Sequence, residues 1–227
     1  PALIANFQKD AQAQEPKFKD LEAPIQVLKN WNYYSNVNSV ATTLANEWAF
    51  KLNPILQKVY IDEGEKDQVE NMTEFAKTAG IDDMLPQLRE VVQELQAKFG
   101  KWEIPWGDIN RFQRPSGDID LTYDDNKESL AMGTASVLWG SLPAFKSSYQ
   151  NNSKKRYGYN GNSFICAVEF GPKIKAKSLL AGGNSGDPNS KHFFDQAKMY
   201  QNAQFKDVLF YKEDVQKNAE KTYHPGE

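Results

Sequence analysis

Cysteine and histidine are the scarcest chemically reactive residues in this sequence. Its 227 residues include one cysteine, Cys166, and two histidines, His192 and His224. A single cysteine excludes an intrachain disulfide, and these three residues lack the paired spacing of a zinc site. Neither a glycine-rich phosphate loop nor a Gly-x-Ser-x-Gly turn occurs. We therefore expect no metal site and no cofactor.

An excess of basic residues and long apolar runs are also absent. Lysine and arginine number 27 against 30 acidic residues, a net charge of −3, whereas nucleic-acid binding normally requires a basic surface. No apolar stretch approaches the roughly 20 residues that span a bilayer. Hydrophobic residues still make up 40% of the chain, enough for a buried core. The composition predicts a globular protein that binds neither nucleic acid nor membrane.

Residues 1–100 are predicted to form a mainly helical segment. Apolar residues from 37 to 52 recur with the period of an α-helix for four turns, and Asn53-Pro54 favours the end of that helix. The same pattern predicts further helices at 24–31, at 66–79 and from Asp82 or Asp83 to Phe99.

Residues 163–180 predict a β-hairpin. The run 163–170 is mostly apolar and β-prone, and Gly171-Pro172 marks a turn after it. Residues 173–178 then alternate lysine with apolar or small residues, which is typical of a strand with one solvated face.

The two halves together predict an α+β fold. Residues 1–100 form the helical segment and residues 101–227 a β-rich segment with one helix at 191–203, which Ser190 can cap. We expect both segments to be parts of one larger domain.

Alternation along the first strand of the hairpin points to one candidate site residue. Phe164, Cys166, Val168 and Phe170 share one face, and Ile165, Ala167 and Glu169 share the other. A thiol within an apolar strand predicts a buried, inert Cys166. A carboxylate between apolar neighbours is rarely left without a partner. Glu169 is therefore the candidate, with a structural salt bridge to a lysine as the alternative.

Two other patterns have both a functional and a structural interpretation. The acidic stretch 118–125 suggests a calcium loop, but Tyr123 occupies the position where an EF-hand needs glycine. A solvated acidic loop is therefore favoured. Three tryptophans could line a ligand groove, although packing is the favoured role: Trp102, Trp106 and Trp139.

Several motifs, in sequential order, resemble the penicillin acylase family of N-terminal-nucleophile hydrolases. Residues 183–196 are similar to its Gly-Gln-Ser-Gly-x-Pro-x-Ser-x-His-Tyr-x-Asp-Gln run, with Asn184 and Phe193 in place of the Gln and Tyr. Residues 106–111 resemble its Trp-Gly-x-x-His-Arg segment, with Asn110 in place of the His. The stretches 213–215 and 223–226 resemble its closing segment, so the resemblance covers most of residues 24–227.

The resemblance implies a four-layer αββα sandwich in which this chain is the C-terminal part of the large (beta) subunit. Members hydrolyse the amide between an acyl group and an amine without a cofactor. Candidate substrates are β-lactam, acyl-homoserine lactone and lipopeptide amides. In the cephalosporin-acylase branch a glutamate of the large subunit pairs with the active-site histidine. By resemblance, Glu169 would support a histidine outside this chain.

The resemblance also implies partners and a location. The partners would be the small subunit and the N-terminal half of the large subunit, together with a small-molecule amide substrate. Family members are usually periplasmic or secreted, so the same location is expected for the parent of this chain.

The nucleophile of such an enzyme is not recognisable in this chain. The family uses the side chain of a first residue Ser, Thr or Cys, with its own α-amine as base, whereas this chain begins with Pro1 and has no initiator Met. We expect a processed or trimmed piece that is inactive alone. The competing class is a non-catalytic β-rich glycan- or peptide-binding module. An exposed aromatic cluster would favour that module, and a bare apolar sheet face would favour the acylase fragment.

Overall fold

The structure is a computed structural model that describes residues 16–63, 68–116, 122–135, 144–150, 153–224 and 226. The expectations for Pro1, for the acidic residues at 118–120 and for Trp139 lie outside the described residues.

Five helices of the described chain precede every strand. A short 3₁₀ helix at Pro16–Leu21 leads into them. Their bounds are α1 Glu22–Lys29, α2 Val40–Glu63, α3 Gln68–Thr78, α4 Ile81–Phe99 and α5 Trp106–Ile109.

Helix α4 shows why these segments become helical. Its buried residues recur every three or four positions, so one apolar stripe faces the core: Met84, Leu85, Leu88, Val91 and Leu95. At its start the Gly80 N–H donates to the Asp83 carboxylate at 3.0 Å, and at its end Gly100 adopts the left-handed conformation with φ 79°.

Helix α2 continues past the predicted end at Asn53-Pro54, so that prediction is wrong. Proline inside a helix removes one backbone hydrogen bond and normally breaks or kinks it. Here Leu52 and Leu56, on either side of Pro54, are both buried in the main core. Tertiary packing of this apolar face outweighs the local preference of proline.

In the part of the chain that the structure describes, two small sheets follow these five helices. The first contains β1 Asn110–Phe112, β2 Leu130–Ala131, β3 Phe145–Tyr149 and β4 Arg156–Gly161 in the order β2-β1-β4-β3, with β1 and β4 parallel. The second is antiparallel, with the order β5-β6-β7. Its strands, and the helices beside them, are β5 Phe164–Glu169, β6 Lys175–Leu180, α6 Ala197–Gln201, β7 Lys206–Asp207 and α7 Lys212–Lys217. Mixed helix and sheet confirm the predicted α+β class.

The helical layer is joined to the first sheet by a buried ion pair. The guanidinium of Arg156 in β4 lies 3.2 Å from the carboxylate of Glu47 in α2, and the two side chains are only 8% and 11% exposed. The same guanidinium lies over the rings of Phe50 and Tyr149. Burial raises the pKa of Glu47, whereas the charge of Arg156 opposes that rise. Loss of Arg156 would therefore leave the Glu47 carboxylate buried without its counter-charge.

The helix predicted at 191–203 is restricted to Ala197–Gln201, which corrects the prediction. A helix from Lys191 would need the Gln196 N–H to bond to the His192 carbonyl. Instead Gln196 N–H donates to the Gly182 carbonyl at 2.9 Å, and the His192 carbonyl accepts from Ser185 N–H at 3.1 Å. Residues 190–196 therefore fold as turns against the preceding glycine-rich loop.

The predicted packing role of the tryptophans is confirmed where the structure describes them. Trp106 is 1% exposed, and Trp102 packs against the main helical core.

Candidate functional site

Glu169, the residue singled out from the sequence, is the last residue of β5 and lies opposite Lys175 of β6. Its carboxylate is 3.7 Å from the Lys175 ammonium, and both side chains are more than two-thirds exposed. The salt bridge that the sequence offered as the alternative is thus present, although a pair this exposed contributes little to stability. The His192 ring contacts Asp195, and neither described histidine ring is bonded to Glu169. A catalytic role for Glu169 stays a prediction.

The side of β5 that contains Phe164, Cys166 and Val168 is open to solvent. Phe164 is 58% exposed, Val168 is 47% exposed, and Phe170, directly after the strand, is 83% exposed. We call these four residues the open face. Its members are apolar and β-prone, as in a buried strand, yet each of them is exposed.

The prediction that Cys166 is buried is wrong, since its side chain is exposed. Its position in an apolar strand gave the expectation of burial. The reason for the difference is that alternation shows which side chains share a face but not whether another layer covers that face; Cys166, in a strand at the edge of the described sheet, is left exposed.

A groove of about 610 Å³ lies at the hairpin end of the same sheet. Its volume is in the range of small-molecule sites. Most of its charges are paired, because Lys173 lies 3.0 Å from Asp214 and Lys177 lies 3.0 Å from Asp207. Lys175 and Glu169 form a third, looser pair at 3.7 Å, and Lys217 adds a further positive charge to the lining. Its apolar lining includes Ala167, Val168, Ile174, Ala176, Val208 and Leu209.

The loop at 182–196, which bears the longest family motif, is a rigid turn-rich structure. His192 Nδ1 lies 2.8 Å from the Asp195 carboxylate. Gly183 must be glycine, because a Cβ atom there would overlap the His192 carbonyl oxygen and crowd the Asp195 carboxylate. The Gln196 amide bonds to the Asn184 side-chain oxygen at 3.1 Å. The motif residues thus hold one another in place, and the described chain brings no serine or cysteine side chain into contact with the imidazole.

Arg114 anchors this loop, a role that the sequence analysis did not predict. Its guanidinium donates to the Phe193 carbonyl and, at 3.0 Å, to the Ser185 carbonyl, and it stacks 4.0 Å from the centre of the Phe193 ring. Partial burial lowers the pKa of Arg114. A lone arginine before a proline has no sequence signature for such a role, because its partners are backbone carbonyls about 70 to 80 residues away.

In the described part of the acidic stretch, Asp125 is the centre of a hydrogen-bond network. Burial would raise the pKa of Asp125, but hydrogen bonds from Ser153, the Lys154 N–H and Tyr157 hold it below its usual value. Within the described residues, no three His, Cys, Asp or Glu side chains are grouped in a way that could hold a metal ion. None of the described helices combines the length and apolarity that a membrane span requires.

The structure combines an α+β architecture with an apolar hairpin that ends in a carboxylate and a glycine-rich turn loop. A family model described as penicillin amidase matches residues 2–217. The chain belongs to the penicillin amidase family, as its motifs predicted. Family membership relates it to hydrolases of acyl amides.

Proposed function

We propose that this chain is the C-terminal part of the large subunit of an N-terminal-nucleophile amidohydrolase, and that it requires the rest of the enzyme for activity. The observation that carries the proposal is the open face: Phe164 and Val168 on a regular strand, and Phe170 directly after it, are exposed. An apolar strand face is normally buried against another layer. In a four-layer sandwich, that layer would come from the remaining part of the large subunit.

The contacts of the described side chains support the proposal that the chain alone does not hydrolyse amides. A hydrolase of this kind needs a nucleophile within hydrogen-bond reach of a base. In the described chain the His192 ring is bonded to Asp195, and the exposed Cys166 has no hydrogen bond to a basic side chain. The nucleophile and its base would therefore come from the other part of the enzyme.

The substrate would be a small acyl amide of the β-lactam, acyl-homoserine lactone or lipopeptide class. The groove beside β6 has apolar lining residues and charges that are mostly paired with one another, which suits a small ligand with an apolar group. A periplasmic or secreted location is proposed on the family resemblance alone.

In the intact enzyme, replacing Glu169 with Gln should lower kcat by on the order of 10-fold or more while leaving Tm within a few degrees. The substitution keeps the shape and removes the charge that would orient a histidine of the other part of the large subunit. The Lys175 contact is solvent-exposed, so its loss should not unfold the protein. Steady-state kinetics and thermal unfolding on the same variant measure both quantities.

Lys175→Gln is the matched control, because it removes the same salt bridge from the other side. A catalytic Glu169 predicts that only Glu169→Gln loses activity. An unchanged kcat in Glu169→Gln, or an equal loss in both variants, would remove Glu169 from the site.

Exposure of the open face provides the experiment that tests the fragment proposal. The chain alone should bind a hydrophobic dye and self-associate in sedimentation velocity, because Phe164, Val168 and Phe170 of the open face are exposed. Phe164→Ser with Phe170→Ser should reduce both signals without unfolding the chain, and Phe145→Ser, at a 5% exposed core position, should unfold it. A soluble monomer with little dye binding would count against a missing covering layer.

An exposed aromatic cluster supports a second candidate, the glycan- or peptide-binding module. The rings of Trp31 and Tyr33 are 5.5 Å apart, and Tyr33 and Tyr34 are 58% and 73% exposed. Tyr33 adopts a positive φ of 63°, which is uncommon for a bulky residue and is found at functional sites. Tryptophan fluorescence during titration with soluble oligosaccharides or extended peptides tests this candidate. Saturable binding that Tyr34→Ala abolishes would support the module, and no response at millimolar ligand would exclude it.

A further inference from the structure

The outer edge of β5 has a defined hydrogen-bonding pattern. Among the strands that the structure describes, β5 pairs with β6 alone, in an unbroken antiparallel register from Phe164 opposite Leu180 to Glu169 opposite Lys175. The Ala181 N–H donates to the Ser163 carbonyl at 3.0 Å, which identifies the odd-numbered positions of β5 as those whose main chain faces β6.

The other side of β6 confirms this assignment. The Val208 N–H donates to the Ala176 carbonyl at 2.8 Å, so the even-numbered positions of β6 face β7, and its odd-numbered positions are left for β5. The N–H and C=O groups of Phe164, Cys166 and Val168 therefore point away from the sheet. Among the described residues, none forms a hydrogen bond with these outward groups.

This edge lacks the features by which proteins normally prevent strand pairing. Edge strands are usually short, bulged, proline-containing or charged. Strand β5 has six residues without proline or lysine, and its only charge, Glu169, is at its end. Its register has no irregularity, whereas the β3–β4 pair shifts between Lys146 and Ser147. At the opposite edge of this sheet β7 has only two residues.

We propose that β5 is a docking edge for a β-strand from the rest of the parent acylase, which adds beside Phe164–Glu169 and extends the sheet. The inference rests on the proposed function. The alternating outward N–H and C=O groups specify the occupant, because only an extended backbone satisfies such a row. We expect the incoming strand to present apolar side chains at alternate positions on the same face, where they would pack beside Phe164, Val168 and Phe170.

The test compares amide hydrogen exchange in this chain alone and in its complex with the polypeptide encoded immediately upstream, the two being co-expressed and purified together. In the complex, the amides of Cys166 and Val168 should exchange on the order of 100-fold more slowly than in the chain alone. The amides of Ile165 and Ala167 are bonded within the β5–β6 ladder in both states and serve as the internal reference.

Three variants separate main-chain pairing from side-chain packing. Val168→Pro removes an outward N–H and should lower the yield of complex by on the order of 10-fold, while the chain still folds, since proline is tolerated where the N–H of an edge strand faces outward. Val168→Thr keeps that N–H and a β-branched side chain, and should assemble normally. Ala167→Pro removes an inward N–H and should disrupt the hairpin itself, seen as loss of protection at Ile165.

The outcomes distinguish failure of this inference from failure of the proposed function. A complex that hydrolyses acyl anilides while Cys166 and Val168 exchange freely, or while Val168→Pro assembles normally, overturns strand addition and keeps the proposed function. Protection of these amides in a dimer of the chain alone shows that a second copy is the occupant and also overturns the inference. Absence of any complex or of an upstream coding segment overturns both.

Discussion

Replacing Arg156 with methionine should destabilise the protein by about 3–5 kcal/mol, because Glu47 would remain buried without its cation. The two charged groups are 3.2 Å apart and nearly inaccessible. Arg156 also packs over the ring of Phe50, so part of the loss comes from packing. Urea unfolding at fixed protein concentration measures the change.

The double variant Glu47→Met with Arg156→Met should recover most of that loss, since apolar groups of similar size can replace a buried ion pair with little cost. Lys177→Met is the control, because its pair with Asp207 is solvent-exposed and should change stability by less than about 1 kcal/mol. Equal losses in the single and double variants would show that packing, rather than an uncompensated charge, determines the effect.

Asn110→Asp should destabilise the protein by about 3 kcal/mol, a fall in Tm of roughly 10 °C. Asn110 is fully buried, and its amide nitrogen donates to the carbonyls of Met132 at 2.9 Å and Thr134 at 2.7 Å. Its side-chain oxygen accepts from the Ser147 hydroxyl at 2.7 Å. The substitution keeps the shape but puts an acceptor against two carbonyl oxygens.

The pH dependence of this variant has a defined sign. Burial among acceptors raises the pKa of the new carboxyl group above its unfolded value, so the unfolded state loses its proton first. The destabilisation should be smallest below about pH 4 and should grow as pH rises from there. Asn160→Asp, exposed in β4 opposite Lys146, should stay within about 0.5 kcal/mol of the wild type at every pH. A pH-independent loss at Asn110 would contradict the assigned amide orientation.

Local sequence patterns correctly predicted the helices and strands whose structure depends on residues nearby in the sequence. The apolar period of α4 and the β5–β6 hairpin with its turn at Gly171-Pro172 both appear in the structure. The hairpin was predictable because strand propensity, turn chemistry and alternation agree there. The α+β class follows from the same two patterns.

The errors occurred where distant residues decide the structure. Packing of Leu52 and Leu56 carries α2 through Pro54, and backbone bonds from Gly182 and Ser185 keep residues 190–196 out of a helix. Neither effect has a signal in the local sequence, because both depend on tertiary contacts. The exposure of Cys166 was unpredictable for a related reason: alternation tells which side chains share a face, but the layer that covers the face comes from elsewhere.

The candidate site is the least predictable feature from this chain. Glu169 was found as a carboxylate at an apolar strand, and the structure places it at the solvent-exposed end of β5. A carboxylate that supports catalysis is recognised by the histidine that it orients. Among the described residues, no histidine contacts Glu169. Arg114, which fixes the family-motif loop, acts through backbone carbonyls that only the fold brings together.

Amide hydrolysis tests the central claim most directly. Purified chain should release only background chromophore from a series of acyl anilides, whereas the chain co-expressed with its upstream polypeptide should turn over at least one of them. The upstream polypeptide should supply a serine nucleophile, preceded by glycine before processing, and changing that serine to alanine should abolish turnover. Turnover by the chain alone that survives re-purification would contradict the account.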